Sequence, residues 1–464
     1  MDWNTLAMNS NISVWEKIKN NDPEFTKFTI DIFTNYGVEL SEIDDFEPLI
    51  HNNNIKIVSV GKIINEKLSR ILSEHQSIEE INIISDRVNS ECCEILTSNK
   101  NISRFTIHTY RNMTIECYRN LVQNNILKSV NFHNTNVCLL SCQILAKSIS
   151  ITRLYLTNCQ LYSSCCEPFI NNNSITDLDL SRNKIDSDGF ILLMSNETIR
   201  ILSTKFNQIG SGKLINFPQN ITLQELDMRS NNLSDEQFDT IVKNTSLKTF
   251  DVSNNNITLE GCESIVNNKT IRFLYIASNN ISDEGCKLLS FNEYIEELDV
   301  TDNNITDIGF SWLVKHRNII TLIAISNNIS NCVSVANNRT LTMLILRNNN
   351  ITNEGCKYLA KNTSIDCLDL SNNDIDIEGF KAFLYNFSIY ELCLSKIDFF
   401  ENYDGEELKS IIDDKRDRNR NLNSLRNLCW NAILENEVQY DLPPILVDEL
   451  NVAHKINSFV CYFE

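Results

Sequence analysis

The sequence has 464 residues, of which 42% are hydrophobic, and a formal net charge of −20 at pH 7. Such an acidic chain would be repelled by a phosphate backbone, so we expect no nucleic-acid partner. We find no apolar run of the length that a bilayer requires and no secretory signal. We therefore expect no membrane partner and a location in a cytoplasm, either the cell's own or that of a host.

Residues 1–57 lack the periodic pattern that follows them, and we predict that they form an N-terminal helical cap. Two partly apolar segments, residues 14–18 and 28–33, have the composition of helices. A cap is physically needed because the first repeat of any array has an apolar face that no neighbour covers.

Residues 58–400 repeat one sequence motif at a spacing of about 24 residues. One copy reads Leu178-Asp-Leu-Ser-Arg-Asn-Lys-Ile185, and others begin at Leu226 and Leu298. This part of the chain resembles the leucine-rich repeat family over about fifteen repeats. The resemblance implies an α/β, ribonuclease-inhibitor-like solenoid, a horseshoe with a parallel β-sheet on its concave face, short helices on its convex face and helical ends. It also implies a role in binding other proteins.

Two columns of asparagine recur at fixed repeat positions, and we predict that both are structural. The first follows each strand, where a buried amide can bond backbone groups that the turn leaves unpaired. Its members are Asn183, Asn207, Asn231, Asn255, Asn279, Asn303, Asn327, Asn349 and Asn373. The second ends each helix, because Asn tolerates the left-handed conformation found there. Its members are Asn172, Asn196, Asn220, Asn244, Asn268, Asn292, Asn362 and Asn386, and we expect His316 to break this column.

Seven of the 16 cysteines fall at one repeat position, just after the turn into the helical half. They are Cys93, Cys117, Cys142, Cys166, Cys262, Cys286 and Cys356. Phe190, Phe310 and Phe380 take the same position in other repeats, which marks it as an apolar core position. We predict free, buried thiols in a reducing compartment, with a disulfide framework as the alternative.

The concave face is the candidate binding surface, since strand alternation turns two kinds of side chain toward it. Its carboxylates form either an acidic groove for a basic partner or the usual acidic position of this repeat. They are Asp177, Asp179, Glu225, Asp227, Asp251, Glu297, Asp299 and Asp369. An apolar and aromatic patch beside Asp299 indicates a protein partner. It comprises Phe273, Tyr275, Ile323, Ile325, Met343 and Ile345. Cover by the tail or an incidental self-contact is the alternative.

His108 and His133 occupy equivalent outward positions in adjacent repeats, where two imidazoles could begin a metal site. No column of carboxylates or thiols completes such a site, so we expect no metal and no cofactor. The sequence also has no glycine-rich phosphate loop, no Ser-His-Asp constellation and no zinc-type Cys-X-X-Cys pair. We therefore expect no enzymatic activity.

Residues 401–464 lie beyond the repeats and carry a second resemblance. The stretch Ser424-Leu-Arg-Asn-Leu-Cys-Trp-Asn-Ala-Ile433, followed by Leu442-Pro-Pro-Ile-Leu446, resembles a SOCS box. The resemblance implies that Leu425, Cys429 and Ile433 dock on Elongin C, while Leu442 and Pro443 help to engage a cullin. The alternative is an amphipathic cap that seals the last repeat.

The leading hypothesis is a non-enzymatic scaffold that binds other proteins, in the sharper form a substrate receptor for a cullin/Elongin ubiquitin ligase. An inhibitor or host-directed effector would use the same concave face, with the tail only a structural cap. A purely structural or decoy protein would use neither surface.

Overall fold

The computed structural model of the chain describes residues 21, 23, 27–30, 51–60, 66–84, 90–110, 112–383, 386, 388, 389 and 391–394. By its internal contacts the chain divides into two compact units. Unit 1 is Met1–Asn232 with Asn244–Leu247, and unit 2 is Leu233–Lys243 with Lys248–Glu464. Each consists of parallel strands that alternate with helices, which confirms the predicted α/β solenoid class.

Within each unit, each strand pairs in parallel with the next strand along the chain, without crossovers. Among the described residues, unit 1 carries β1 (Lys27–Ile30), β2 (Ile57–Val60), β3 (Glu80–Ile84), β4 (Arg104–His108), β5 (Ser129–His133), β6 (Arg153–Thr157), β7 (Asp177–Asp179), β8 (Ile201–Ser203) and β9 (Glu225–Asp227). Unit 2 carries β10 (Thr249–Asp251), β11 (Phe273–Tyr275), β12 (Glu297–Asp299), β13 (Thr321–Ile323), β14 (Met343–Ile345), β15 (Cys367–Asp369) and β16 (Glu391–Cys393).

Short helices connect the strands. Unit 1 has α1 (Glu66–Glu74), α2 (Ser90–Thr97), α3 (Ile115–Gln123), α4 (Leu139–Leu145) and α5 (Ser187–Met194). Unit 2 has α6 (Asp235–Val242), α7 (Leu259–Ile265), α8 (Ser282–Leu289), α9 (Asp307–Val314), α10 (Asn353–Leu359) and α11 (Ile377–Ala382). In the part of the chain that the structure describes, 3₁₀ segments lie at Ser163–Cys165, Glu167–Phe169, Ile209–Ser211 and Val333–Asn337.

The core of each repeat lies between its strand and its helix. In β12 the middle residue, Leu298, is fully buried, while its two strand neighbours are half-buried. In α8 the buried face carries Cys286 and Leu289. Burying a Leu side chain stabilises a fold by about 1.5–3 kcal/mol. The inward side chains of the strand, at a period of two, and those of the helix, at a period of 3.6, thus pack together in one apolar layer per repeat.

The sheet begins earlier than the sequence indicates. Lys27–Ile30 forms strand β1 and pairs in register with Ile57–Val60, from Lys27 opposite Ile57 to Ile30 opposite Val60. The prediction of a helix over residues 28–33 is therefore wrong for Phe28 to Ile30. Phe-Thr-Ile has the β-branched and aromatic character of a strand, and pairing with β2 decides the outcome. The boundaries 1–57, 58–400 and 401–464 stay predictions.

The first asparagine column forms the predicted hydrogen-bond ladder, and Asn303 illustrates it. Its Nδ2 donates to the carbonyl oxygen of Ile276 in the preceding repeat at 2.9 Å and to that of Thr301 at 3.0 Å. Its Oδ1 accepts the backbone N–H of Ile281 at 3.3 Å. One fully buried amide therefore satisfies backbone groups of two adjacent repeats.

The second column is also a ladder, but the left-handed conformation predicted for it is wrong, since Asn196, Asn268 and Asn292 do not have a positive φ. Asn292 Nδ2 donates to the carbonyl oxygen of Asn268, one repeat back, at 2.8 Å. Its Oδ1 accepts the backbone N–H groups of Tyr294 at 2.8 Å and Ile295 at 3.1 Å. The prediction that His316 breaks this column is wrong. The imidazole of His316 contacts the carbonyl oxygen of Asn292 and the backbone N–H groups of Asn318 and Ile319, as an asparagine does in the other repeats.

The repeat between β13 and β14 is shorter than its neighbours. Leu322 and Leu344 are strand partners 22 residues apart, whereas Leu298 and Leu322 are 24 residues apart. The 3₁₀ helix Val333–Asn337 stands in place of an α-helix there. A 3₁₀ helix rises about 2.0 Å per residue against about 1.5 Å in an α-helix, so fewer residues cover the same length.

The seven cysteines of the helical half are buried, as predicted for an apolar core position. Phe190 and Phe310 are fully buried at the same position. Burial raises the pKa of the Cys262 thiol to about 12 and raises the pKa of Cys286 well above its ordinary value. These thiols are therefore neutral packing groups.

Candidate functional site

The sheet has one face that its helices leave uncovered, and we call it the open face. In the three-residue strands of unit 2, the first and third residues turn to this face and the middle one turns to the core. Leu274, Leu298, Leu322 and Leu344 are the middle residues of β11 to β14, and all are fully buried. The residues on either side of them are half-buried or exposed.

The structure brings the sequence-predicted apolar patch together on four consecutive strands of unit 2. We use "apolar patch" for Phe273, Tyr275, Ile323, Ile325, Met343 and Ile345. Register places Phe273, Glu297, Thr321 and Met343 in one row across β11 to β14. Tyr275, Asp299, Ile323 and Ile345 form the second row. Ile325 lies two residues beyond the end of β13.

The two rows differ in how far they are open to solvent. In the first row, Phe273 is 36% exposed and Met343 is 37% exposed. Tyr275, Ile323 and Ile345 in the second row are half-buried. The first row is therefore where another molecule would gain most by covering apolar surface.

Two carboxylates from β12 interrupt the patch. The hydroxyl of Tyr275 donates to Oε1 of Glu297 at 2.7 Å. Burial, followed by this hydrogen bond, raises the pKa of Tyr275, so the phenol stays protonated. Burial also raises the pKa of Asp299, although hydrogen bonds from Thr301 oppose the shift. Among the described residues, no Lys or Arg forms an ion pair with Asp299. A cation brought by another molecule would find this carboxylate desolvated and available.

The aspartate that ends several of the three-residue strands has a structural role. Oδ1 of Asp299 accepts the backbone N–H of Thr301 at 2.9 Å, and Asp369 accepts that of Ser371 at 2.8 Å. Asp179 and Asp251 do the same with Ser181 and Ser253. These bonds hold the chain where it leaves the sheet. Local geometry thus gives these four aspartates a structural role, for which the Asp-X-Ser/Thr spacing is the sequence signal, and the acidic groove stays a prediction.

The two histidines of unit 1 also lie side by side. His108 and His133 are strand partners, and their ring centroids are 4.6 Å apart in an edge-on arrangement. Nε2 of His108 lies 2.7 Å from Nδ2 of Asn134. Within the part of the chain that the structure describes, no three His, Cys, Asp or Glu side chains converge as metal ligands. The pair supplies polar contacts to the open face of unit 1.

The tail residues Leu425, Cys429, Ile433, Leu442 and Pro443 lie outside the described residues. So does most of the predicted N-terminal cap. None of the described helices combines the length and the apolar character that a bilayer-spanning segment needs. The open face of unit 2 is therefore the surface on which the candidate site can be described.

Comparison with known proteins relates the chain to one repeat family. The family model described as Leucine Rich repeat matches residues 171–194, 219–236, 243–266, 267–290, 291–311, 337–360 and 361–384. Each matched segment contains one strand, and these strands are β7, β9, β10, β11, β12, β14 and β15. No curated protein matches the chain.

Two solved structures are similar to the chain at low sequence identity. One is the plant peptide hormone receptor RGFR1 in complex with RGF2, with 13% identity and a TM-score of 0.37, covering 74% of this chain and 68% of that chain. The other is an internalin from Listeria monocytogenes, with 16% identity and a TM-score of 0.39, covering 77% of this chain and 84% of that chain.

Proposed function

The chain belongs to the leucine-rich repeat family, and on that premise we propose that it is a non-enzymatic scaffold that binds a partner protein through the apolar patch of unit 2. Repeat proteins of this kind present extended preformed surfaces. Recognition on such a surface costs little ordering entropy.

The single observation that supports this assignment is the openness of Phe273 and Met343 in one register row. Large apolar side chains of this kind normally point into a core, and such side chains on an open face can anchor a partner protein. Asp299 and Glu297 lie between them on β12. The partner element that fits is apolar with a Lys or Arg near its centre, since the alkyl stem would cover the patch and the charged head would reach the carboxylates.

The test is affinity capture followed by reconstitution. The bait is the full chain, compared with a Phe273→Glu/Met343→Glu variant and a control variant, Ile308→Glu, on helix α9. Ile308 is 63% exposed, so the control changes an even more accessible apolar residue away from the sheet. A protein held by the wild type and by the control, but lost with the double variant, supports the proposal once purified and bound directly. A partner that the double variant retains at full affinity sinks it.

A more specific form of the proposal is a substrate receptor for a cullin/Elongin ubiquitin ligase. Its support is the sequence of the tail, in which Leu425, Cys429 and Ile433 match the docking positions of a SOCS box. The measurement is binding of purified Elongin B and C to the full chain, to Leu425→Ala/Cys429→Ala and to the matched control Arg426→Ala. Saturable binding lost only in the double variant supports the ligase role.

Without Elongin binding, the proposal becomes an inhibitor or effector that occupies its partner through the patch alone. The patch variant then keeps its diagnostic value, because Phe273 and Met343 lie on the sheet and not in the tail. The two forms are thus separated by one binding experiment on each surface.

A reducing compartment is part of the proposal. Its support is the set of free, buried cysteines at one repeat position, such as Cys262, Cys286 and Cys356. An oxidising compartment would favour disulfides between neighbouring thiols. Mass spectrometry of the protein purified from its native source under alkylating conditions tests this point, and extensive disulfide content would contradict it.

A further inference from the structure

One backbone position just after the strand adopts the left-handed conformation in repeat after repeat. Its occupants are Asn134, Asn158, Arg182, Phe206, Ser230, Asn254, Ser278, Asp302, Ser326, Asn348 and Asn372, all with φ between 48° and 58°. Asn, Asp and Ser are small polar residues, and Asn and Asp are enriched in this conformation. Arg182 and Phe206 are bulky and lack that tolerance. Side chains kept at a backbone cost point to a role for the side chains themselves.

Arg182 and Phe206 are neighbours in space as well as in repeat order. The guanidinium carbon of Arg182 lies 4.2 Å from the centroid of the Phe206 ring. Phe206 is 41% exposed, and Arg182 is also exposed. Within the described ranges, Arg182 has no carboxylate as an ion-pair partner. Contact with the ring restrains the guanidinium, while its N–H groups can still bind a bidentate acceptor.

The nearby carboxylates of unit 1 already have donors. Asp227 Oδ2 binds Nη2 of Arg229 at 2.8 Å and lies 3.8 Å from Nζ of Lys205. Asp177 accepts the hydroxyl of Tyr155 at 2.7 Å. Neither of these two carboxylates is paired with Arg182, which stays a cation without an ion-pair partner among the described residues, although the whole chain is acidic.

A second basic group, His133, lies within electrostatic reach of Arg182. The pKa of His133 is lowered by burial first, and then by His108 and by Arg182, while the carboxylate of Asp179 opposes these shifts. An anion bound to Arg182 would favour the protonated form of His133. Arg182 thus contacts the ring of Phe206 and has an imidazole within electrostatic reach.

We propose that Arg182 and Phe206 form an anchoring site for an acidic peptide segment of a partner protein. A carboxylate would accept two hydrogen bonds from Arg182, and an adjacent apolar residue would cover the ring of Phe206. The exposed ring favours a peptide over a free inorganic anion, which would leave that surface uncovered. Repulsion by the net charge of −20 does not prevent this contact, because screening limits it to about 8 Å at physiological salt. The site lies in unit 1 and is independent of the apolar patch in unit 2.

The test uses the full chain and a dye-labelled peptide, Glu-Phe-Glu-Phe-Glu, capped at both ends, with Gln-Phe-Gln-Phe-Gln as its neutral counterpart. Fluorescence anisotropy at about 0.15 M salt, the ionic strength at which screening limits the repulsion, measures affinity. The key variant is Arg182→Asn/Phe206→Asn, because asparagine occupies this position in other repeats and should fold without strain. The control is Lys184→Asn, which removes one positive charge two residues from Arg182. Nζ of Lys184 lies 5.2 Å from the centroid of the Tyr162 ring.

We expect the acidic peptide to bind wild type and Lys184→Asn within about twofold of each other, and to lose at least about tenfold in affinity for the double variant. The double variant should match or exceed the thermal midpoint of the wild type, which a merely structural pair would not permit. Equal binding of the glutamine peptide, no binding to the wild type at about 1 mM, or unchanged binding to the double variant overturns the proposal. Displacement of the peptide by equimolar inorganic phosphate overturns it in favour of a general anion site.

Discussion

Nε2 of His316 donates a hydrogen bond to the carbonyl oxygen of Asn292, and so performs the task that asparagine performs in the neighbouring repeats. Nδ1 of the same ring accepts the backbone N–H of Asn318 at 3.0 Å and that of Ile319 at 3.1 Å. An acceptor role on Nδ1 and a donor role on Nε2 are compatible only with the neutral ring.

The stability of unit 2 should therefore depend on pH through His316. Burial lowers the pKa of His316, and the hydrogen bond to Asn292 offsets this only in part. Below the unfolded value of about 6.5, the unfolded chain takes up a proton that the folded chain resists, so stability falls as pH falls from there toward the folded pKa. We expect His316→Asn to match wild type near pH 7.5 and to unfold at a higher temperature than wild type near pH 5.5.

Thermal unfolding of the two proteins at both pH values measures this difference. Other titrating groups act equally on both proteins, so the comparison isolates the imidazole. A gap between the midpoints that does not change with pH would show that His316 does not titrate on unfolding.

Removal of one buried amide from the first ladder should lower the free energy of unfolding far more than removal of an exposed amide. Asn303→Ala leaves the N–H of Ile281 without its acceptor. It also removes one of two amide donors to the carbonyl oxygen of Ile276, which keeps Asn279 Nδ2 at 3.0 Å. A buried orphan group costs about 1–3 kcal/mol, so we expect a loss of about 1–3 kcal/mol in the free energy of unfolding. Asn280→Ala is the control, since Asn280 is exposed in the preceding repeat. Chemical denaturation of the variants checks the ranking, and equal losses would refute the ladder's energetic role.

Gly309 is a position where a methyl group should not fit. A Cβ there would lie 2.9 Å from Cα of Asp283 and would press on its carboxylate. That carboxylate accepts the N–H groups of Thr306 at 2.8 Å and Gly309 at 3.0 Å. We expect Gly309→Ala to destabilise by about 1–3 kcal/mol.

A double-mutant cycle with Asp283→Ala assigns the cause of that loss. Removing the carboxylate relieves part of the clash, so the double variant should lose less than the two single variants together. Additive losses would instead point to the glycine's backbone as the source of the effect.

Thiol labelling should separate one cysteine from the buried set. Cys138 is exposed, and although burial raises its pKa, hydrogen bonds from Ser141 outweigh that effect and lower it overall. Cys262 and Cys286 are buried with raised pKa values. Brief alkylation of the native protein near pH 7.5, read by peptide mass spectrometry, should modify Cys138 well before those two. The variant Cys138→Ser should leave their slow rates unchanged, and rapid modification of Cys262 would contradict the described packing.

The sequence was sufficient to predict the regular part of this fold. The period that separates Leu298 from Leu322 determines strand register, and register alone brings Tyr275, Asp299 and Ile323 into one row. Both ladders follow from the same logic, because a repeated buried amide has few other uses. These predictions concern the backbone, which the repeat constrains strongly.

The remaining features depend on side-chain geometry that a repeat pattern does not encode. His316 reads as an interruption in a column of asparagines, and only its ring positions reveal that it bonds like an amide. Arg182 and Phe206 read as ordinary variable residues until their shared φ angle and stacking are known. The strand at Lys27–Ile30 has no recognisable repeat around it, and its pairing with β2 is tertiary information.

The shortened repeat between β13 and β14 shows where this architecture can change its length. Asn349 keeps its bond to the carbonyl oxygen of Ala324 at 2.9 Å, although the two are 25 residues apart where other rungs span 27. The missing residues come from the helical half, where Val333–Asn337 replaces a longer helix. Duplication or loss of a whole repeat would preserve every rung, and small deletions survive when they fall outside the strand and its asparagine. A gene of this kind can therefore change in length, by whole repeats or by short deletions in the helical half, while the exposed residues of each repeat stay free to vary.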